Sequence, residues 1–157
     1  MERVVTDDSD GELYTQLAPE LIRFATALVG HADAADLLSA AVVKALESAS
    51  WPTVTNRRAY LYRAVFHEAC SSRRRAAGRR RREERAAASE RWEMPDFRPD
   101  VRHAVARLSE RQRAVIVLTY WADLSPADIA DRLGLSEGAV KRHLARARAH
   151  LRKVLNA

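Results

Sequence analysis

The chain has 157 residues, 47% apolar and 31% charged, with a net charge of +6. That length suits one ordinary domain or two small ones, and no apolar run is long enough to cross a bilayer. The single cysteine, Cys70, excludes an internal disulfide and a cysteine-based metal site.

Charge is unevenly distributed. Residues 1–50 carry three basic and nine acidic side chains, whereas residues 51–92 carry twelve basic and four acidic. Almost all the basic residues are Arg, whose planar fork suits phosphate and guanine. An acidic front and a basic rear suggest two kinds of partner, one of them a polyanion; the plainer alternative is a solvated Arg-rich surface. The acidic start, MERVVTDDSDGEL, lacks a signal pattern, so a cytoplasmic protein with no membrane partner is expected.

In chain order, residues 1–10 read as an acidic tail. From Gly11 to Val29, Leu13, Leu17, Leu21, Phe24 and Leu28 form a helical stripe. Pro19 either kinks this helix or starts it anew, and Gly30 stops it. Asp33 is the expected cap of a second helix carrying Ala34, Leu37, Leu38, Ala41, Ala45 and Leu46. A loop, Trp51 to Asn56, follows. Asn56 is the expected cap of a third helix with Leu61, Tyr62, Val65 and Ala69 inward. That helix runs into SSRRRAAGRRRREER at residues 71–85.

Residues 86–99, with Pro95 and no sustained stripe, read as a flexible linker between two domains. In the rear part Asp100 is the expected cap of a short helix with Val101, Ala104, Val105 and Leu108. Ser109 and Gln112 spell a capping box for the next, which should bury Val115, Leu118 and Trp121 with Ile116 or Val117 at its margin. Ser125-Pro126 starts a third helix, with Ile129, Ala130 and Leu133 as its apolar face, and Gly134 ends it. Ser136 caps the last, striped by Val140, Leu144, Ala147, Leu151 and Val154.

Residues 125–151 thus follow a helix-turn-helix plan. Gly134 supplies the left-handed turn, and Ala130, Leu135 and Val140 the small core between the helices. The last helix offers Glu137, Lys141, Arg142, Arg146 and Arg148 to a major groove; otherwise it is a hairpin with a basic solvated face.

The stretches LSERQR (108–113), DIA (128–130), LGLSEGAVK (133–141) and LARAR (144–148) resemble region 4 of the extracytoplasmic-function (ECF) sigma factors. The resemblance implies that this domain reads the minus-thirty-five element through Ser136, Glu137, Lys141, Arg142, His143, Arg146 and Arg148. Ala139 replaces the usual Thr, and Arg142 and His143 replace the common Ser and Arg. The front half is similar to region 2, which in that family grips the β′ clamp helices of core RNA polymerase. The resemblance carries this contact to Asp33, Asp36, Leu37, Ser39 and Ala40, although Ala35, Ser39 and Ala40 stand where Glu, Gln and an acid are usual. The third helix resembles the promoter-melting segment, with Tyr60 for the usual Trp. His67, Glu68 and Ser71 stand where Asn, an apolar residue and Asp are common.

Minus-ten and melting contacts are therefore expected from Trp51, Asn56, Arg57, Tyr60, Arg63, His67, Arg73, Arg74 and Arg75. Trp51 either stacks an unstacked base with Thr53, Thr55 and Asn56 around it or packs beneath its loop. The Arg run either tracks phosphate or serves as a basic linker.

Enzyme chemistry finds little support. There is no nucleotide-binding glycine loop, and His31, His67, His103, His143 and His150 are scattered without metal-binding spacing. No cofactor or metal is expected. The sequence therefore describes an all-α chain of two small helical domains, residues 11–85 and 100–157, joined by a flexible linker at 86–99, the second a helix-turn-helix domain. The resemblance implies an initiation factor whose partners are core RNA polymerase (β′ clamp helices and β flap), promoter DNA and, in many relatives, an anti-sigma factor. The alternatives are a helix-turn-helix regulator that does not dock on polymerase and an adaptor whose main partner is another protein.

Overall fold

The computed structural model describes residues 8–80 and 98–156. Most of the expected acidic tail and of the expected linker, and the side chains of Arg73, Arg74 and Arg75, lie outside the described residues. Helices α1 (Asp8–Val29), α2 (His31–Glu47) and α3 (Arg57–Arg80) form the front half, with a 3-10 turn at Trp51–Thr53. Helices α4 (Pro99–Ala106), α5 (Glu110–Tyr120), α6 (Pro126–Leu133) and α7 (Glu137–Leu155) form the rear. No strand occurs among the described residues.

Local signals set most boundaries. α1 runs through Pro19 as one helix. The lost N–H and the crowded carbonyl cost about 3 kcal/mol. Burial of Leu17, Leu21, Phe24 and Leu28, each worth about 1.5–3 kcal/mol, outweighs that. Gly30 stands at φ 88° between α1 and α2. α2 begins directly after it, so Asp33 sits in the first turn and makes no cap. Likewise α4 starts at Pro99, which places Asp100 inside the first turn. Both acids still complement the helix dipole.

The other expected caps form. Asn56 Oδ1 accepts the Ala59 N–H at 3.0 Å. Ser109 and Gln112 close a capping box, and Ser125 closes another with Asp128. The Ser125 hydroxyl and backbone N–H hold the Asp128 carboxyl below its usual range.

The three front helices pack on one another, and α7 packs on α4, α5 and α6. The halves also pack together, α1 on α5 and α3 on both α5 and α6. One apolar core consequently runs from Leu17 to Ala147. α5 lies between α7 and the front half, so Ala114 to Leu118 are all buried, including Ile116 and Val117 that a lone domain would leave at its margin. Arg113 is only 3% exposed. Its guanidinium donates to the carbonyls of Val105, Ala106 and Leu108 at the end of α4 and of Leu28 at the end of α1. Those helix ends carry partial negative charge, which suits a buried cation.

Candidate nucleic-acid interface

The helix-turn-helix is built from its caps outward. Gly134 takes the left-handed conformation (φ 68°, ψ 35°) that ends α6. Two residues later the Ser136 hydroxyl accepts the Ala139 N–H at 3.1 Å and starts α7. Ile129, Leu133 and Val140 are fully buried at the corner. Opposite that stripe, Glu137, Lys141, Arg142, Arg146 and Arg148 are exposed. Glu137 pairs with Lys141 at 2.6 Å, a solvated contact worth about 0–1 kcal/mol that a phosphate readily displaces. Arg148 is turned aside: its Nε donates to the Tyr120 hydroxyl at 2.7 Å. His143 is half-buried on the inward flank, with Nδ1 buried and unpartnered. Burial first, and then Arg111, Arg146 and Arg142, hold its imidazole below the ordinary value.

The minus-ten candidates divide into two groups. Trp51 is 5% exposed. Its indole N–H donates to Asp10 Oδ2 at 3.0 Å, Tyr60 packs against its ring edge-on, and the Arg57 guanidinium lies 5.0 Å from its ring centre. Of the two roles open to Trp51, packing beneath the loop is the one this conformation adopts. An open cleft of about 710 Å³ lies at the end of this loop, with Thr55, Asn56 and Arg57 on one wall and Glu12, Leu13 and Gln16 of α1 on the other. Tyr60 is half-buried, and its hydroxyl is held below its usual range by hydrogen bonds with Ser48 and Ser50.

Arg63 and His67, one turn apart on α3, face the rear half instead. Arg63 Nη2 donates to the Asp131 carbonyl at 2.8 Å. His67 stays exposed, its imidazole lowered by partial burial and then by Arg63 and Arg111. Beside them Arg132 of α6 stacks over Tyr62 at 4.9 Å. The Tyr62 hydroxyl is pushed up to about 12 by burial and by Glu20, to which it donates at 3.2 Å.

On α2, Asp33, Asp36 and Ser39 are exposed and Ala40 half-buried. Leu37 requires a correction: at 6% exposure it belongs to the core, because it lies in the middle of the stripe Ala34–Leu38–Ala41–Ala45. The exposed large apolar residue of this helix is Val43, at 52%, with Ala32 and Ala35 also exposed. Lys44 reaches across to the buried Glu68 at 2.5 Å. Sequence reading missed Asp10, Gln16, Arg111 and Arg132. Nothing local marks them: Asp10, Arg111 and Arg132 act on groups of other segments, and Gln16 matters only through the cleft it lines.

Two family descriptions match the chain, Sigma-70 region 2 over residues 13–80 and Sigma-70 region 4 over residues 98–151. The RNA polymerase sigma-E factor of Streptomyces coelicolor is 33% identical over 142 residues, 86% of this chain and 79% of that protein. The chain belongs to the sigma-70 family, as an ECF-type RNA polymerase sigma factor. The sigma factor is also 46% identical over 55 residues to the ECF RNA polymerase sigma factor SigM of Mycobacterium tuberculosis, 35% of this chain and 28% of that one. A regulator lacking a polymerase-docking half is not favoured, because region 2 is matched as fully as region 4.

The fold recurs in the sigma factor RpoE of Bartonella quintana, solved in complex with the anti-sigma factor NepR. The TM-score is 0.72 and the identity 24%, with 96% of this chain and 99% of that chain covered. It recurs again in CnrH, solved with the cytosolic domain of CnrY, at TM-score 0.63 and 22% identity, with 98% and 92% covered. At such identities the fold is what is shared. Sigma factors are DNA-binding initiation factors. Among the described residues of this one, no helix is long and apolar enough to cross a membrane.

Proposed function

We propose that this sigma factor acts in the cytoplasm, without catalytic chemistry of its own, by holding core RNA polymerase with its front half and reading promoter DNA with both halves. The observation that carries this reading is the open basic face of α7, which starts at the Ser136 cap in a chain that also carries region 2. Arg142 and Arg146 lie one turn apart on that face and are free to enter a major groove at the minus-thirty-five element. Lys141 and Glu137 flank them, and Ser136 fixes where the helix begins. We assign the minus-ten strand to the cleft between Gln16 and Asn56. The arginines at 73–75 continue the track along phosphate.

Core polymerase is assigned to the exposed face of α2, through Asp33, Asp36, Ser39 and Val43. With Ala35 and Ala40 in place of acids and the short Ser39 in place of Gln, that contact leans on apolar area against the β′ clamp helices, and the rear half meets the β flap. Of the two solved structures that share this fold, one carries an anti-sigma factor and the other the cytosolic domain of CnrY, and we extend a protein antagonist of the first kind to this chain. Residues 11–85 and 100–157 are taken as its two working units. Arg63 cannot hold the α6–α7 turn and touch DNA at once, so its melting role requires that contact to open.

Run-off transcription with core polymerase on a promoter library tests the proposal. Transcripts above core alone are expected, together with co-migration of chain and core on a sizing column. Arg142→Ala with Arg146→Ala should lower minus-thirty-five-dependent initiation about 10- to 100-fold. A library with no product above core alone overturns the reading.

A further inference from the structure

One carboxylate organises the loop between α2 and α3. Asp10, at the start of α1, accepts the Trp51 indole N–H on Oδ2 at 3.0 Å and Arg57 Nη1 on Oδ1 at 2.5 Å. Its side chain is 11% exposed and that of Arg57 29%. The pair is therefore far less screened than the Glu137–Lys141 contact on α7, whose side chains are 50% and 63% exposed. Charge-assisted hydrogen bonds of this kind are short and directional. Arg57 also stacks over the Trp51 ring, so the acid, the cation and the indole form one closed set. Asp10 thereby pins both ends of residues 51–57, the 3-10 turn at one and the first residue of α3 at the other. Between those ends Pro52, Thr53, Thr55 and Asn56 are exposed. Across the cleft from Thr55, Asn56 and Arg57 stand Glu12 and Gln16, two and six residues beyond Asp10 on the same helix.

We propose that Asp10 is a positioning residue for minus-ten recognition. It fixes Trp51 and Arg57 so that the wall Thr55–Asn56–Arg57 stands opposite the α1 wall and receives an unstacked base between them. The inference rests on the initiation role proposed above. Reading a base edge requires donors and acceptors held in place before the base arrives. Asn56 illustrates the point: its Oδ1 is committed to the α3 cap, which aims its amide by backbone geometry, and Asp10 holds that backbone. Without Asp10 the indole N–H loses its acceptor and Arg57 its counter-charge, and the wall re-sorts.

The test uses holoenzyme assembled from the full chain and core polymerase. It takes a promoter that the wild type opens and its three single-base variants at the minus-ten position where the wild type discriminates most. The readout is the rate of opening, followed by 2-aminopurine fluorescence in the melted strand. For Asp10→Ala the ratio of best to worst base should fall about tenfold, with core affinity unchanged. Asp10→Asn keeps an acceptor for Trp51 but no charge for Arg57, and should fall between. Equal slowing on all four templates, or no change, overturns the proposal, because a merely structural loss cannot distinguish bases. If Asp10→Ala loses its helical circular dichroism, Asp10→Asn decides alone, and a wild-type ratio in that variant overturns it. A wild-type chain that opens none of the library overturns the initiation role itself, and this inference with it.

Discussion

The guanidinium of Arg63 rests against Gly134: a Cβ added at that glycine would lie 2.8 Å from Arg63 Nε. Gly134 therefore answers to two demands, a left-handed φ of 68° and the close approach of a side chain from the other half of the molecule. Gly134→Ala should destabilise the protein by about 1–3 kcal/mol. Arg63→Ala in the Gly134→Ala background should recover the part due to the clash and leave the part due to φ. Urea unfolding of the two single variants and the double variant measures both. Strict additivity would mean that the two residues do not meet in solution.

Arg113 ties the end of α1 to the end of α4 through four carbonyls. Arg113→Ala strands buried acceptors and should cost about 2–4 kcal/mol. Arg113→Lys should recover only part, since one ammonium cannot span carbonyls on two helices. Thermal unfolding followed by circular dichroism provides the measurement. A loss under about 0.5 kcal/mol would place Arg113 outside the core.

His67 and His143 both sit below the ordinary imidazole value, each through burial first and nearby arginines second. The folded state thus binds their protons less readily than the unfolded chain does. Stability is complete above the unfolded value of about 6.5 and falls as pH drops from there towards the lower folded values. Melting temperature should decline between pH 7.5 and 5.5 (choices bracketing that value). The decline should be shallower in the His67→Gln, His143→Gln double variant. An identical slope in both proteins would remove these two groups from the pH response.

If the arginines at 73–75 track phosphate, each neutralised phosphate adds about 0.9 to the log–log salt slope of promoter binding. Changing Arg73, Arg74 and Arg75 to Ala should flatten that slope by up to about 2.7 when all three make contact. Filter binding of holoenzyme across a salt series reads it directly. An unchanged slope assigns these residues to no phosphate.

The residues that end and begin helices were legible without any structure. Ser109, Ser125 and Ser136 each satisfy a backbone N–H three residues ahead, and Gly134 relieves its own backbone. Such interactions close within one turn, so the local sequence is sufficient to specify them. The same holds for the basic face of α7, which follows from 3.6-residue periodicity once its cap is known. Asp33 and Asp100 lie in first turns where the sequence predicts caps, because an acid in the first turn and an acid at the cap look alike until the preceding φ and ψ are known.

What the tertiary structure alone decided is which of these surfaces remain free. Trp51 finds its acceptor 41 residues away, Arg63 its carbonyl 68 away and Arg113 one of its carbonyls 85 away. α5 reads as a one-faced helix in sequence, yet it is covered on both sides because the front half packs against it. Periodicity records that a face is apolar. Which element covers that face, and which polar side chains become trapped beneath it, depends on chain segments too distant for any local pattern to register.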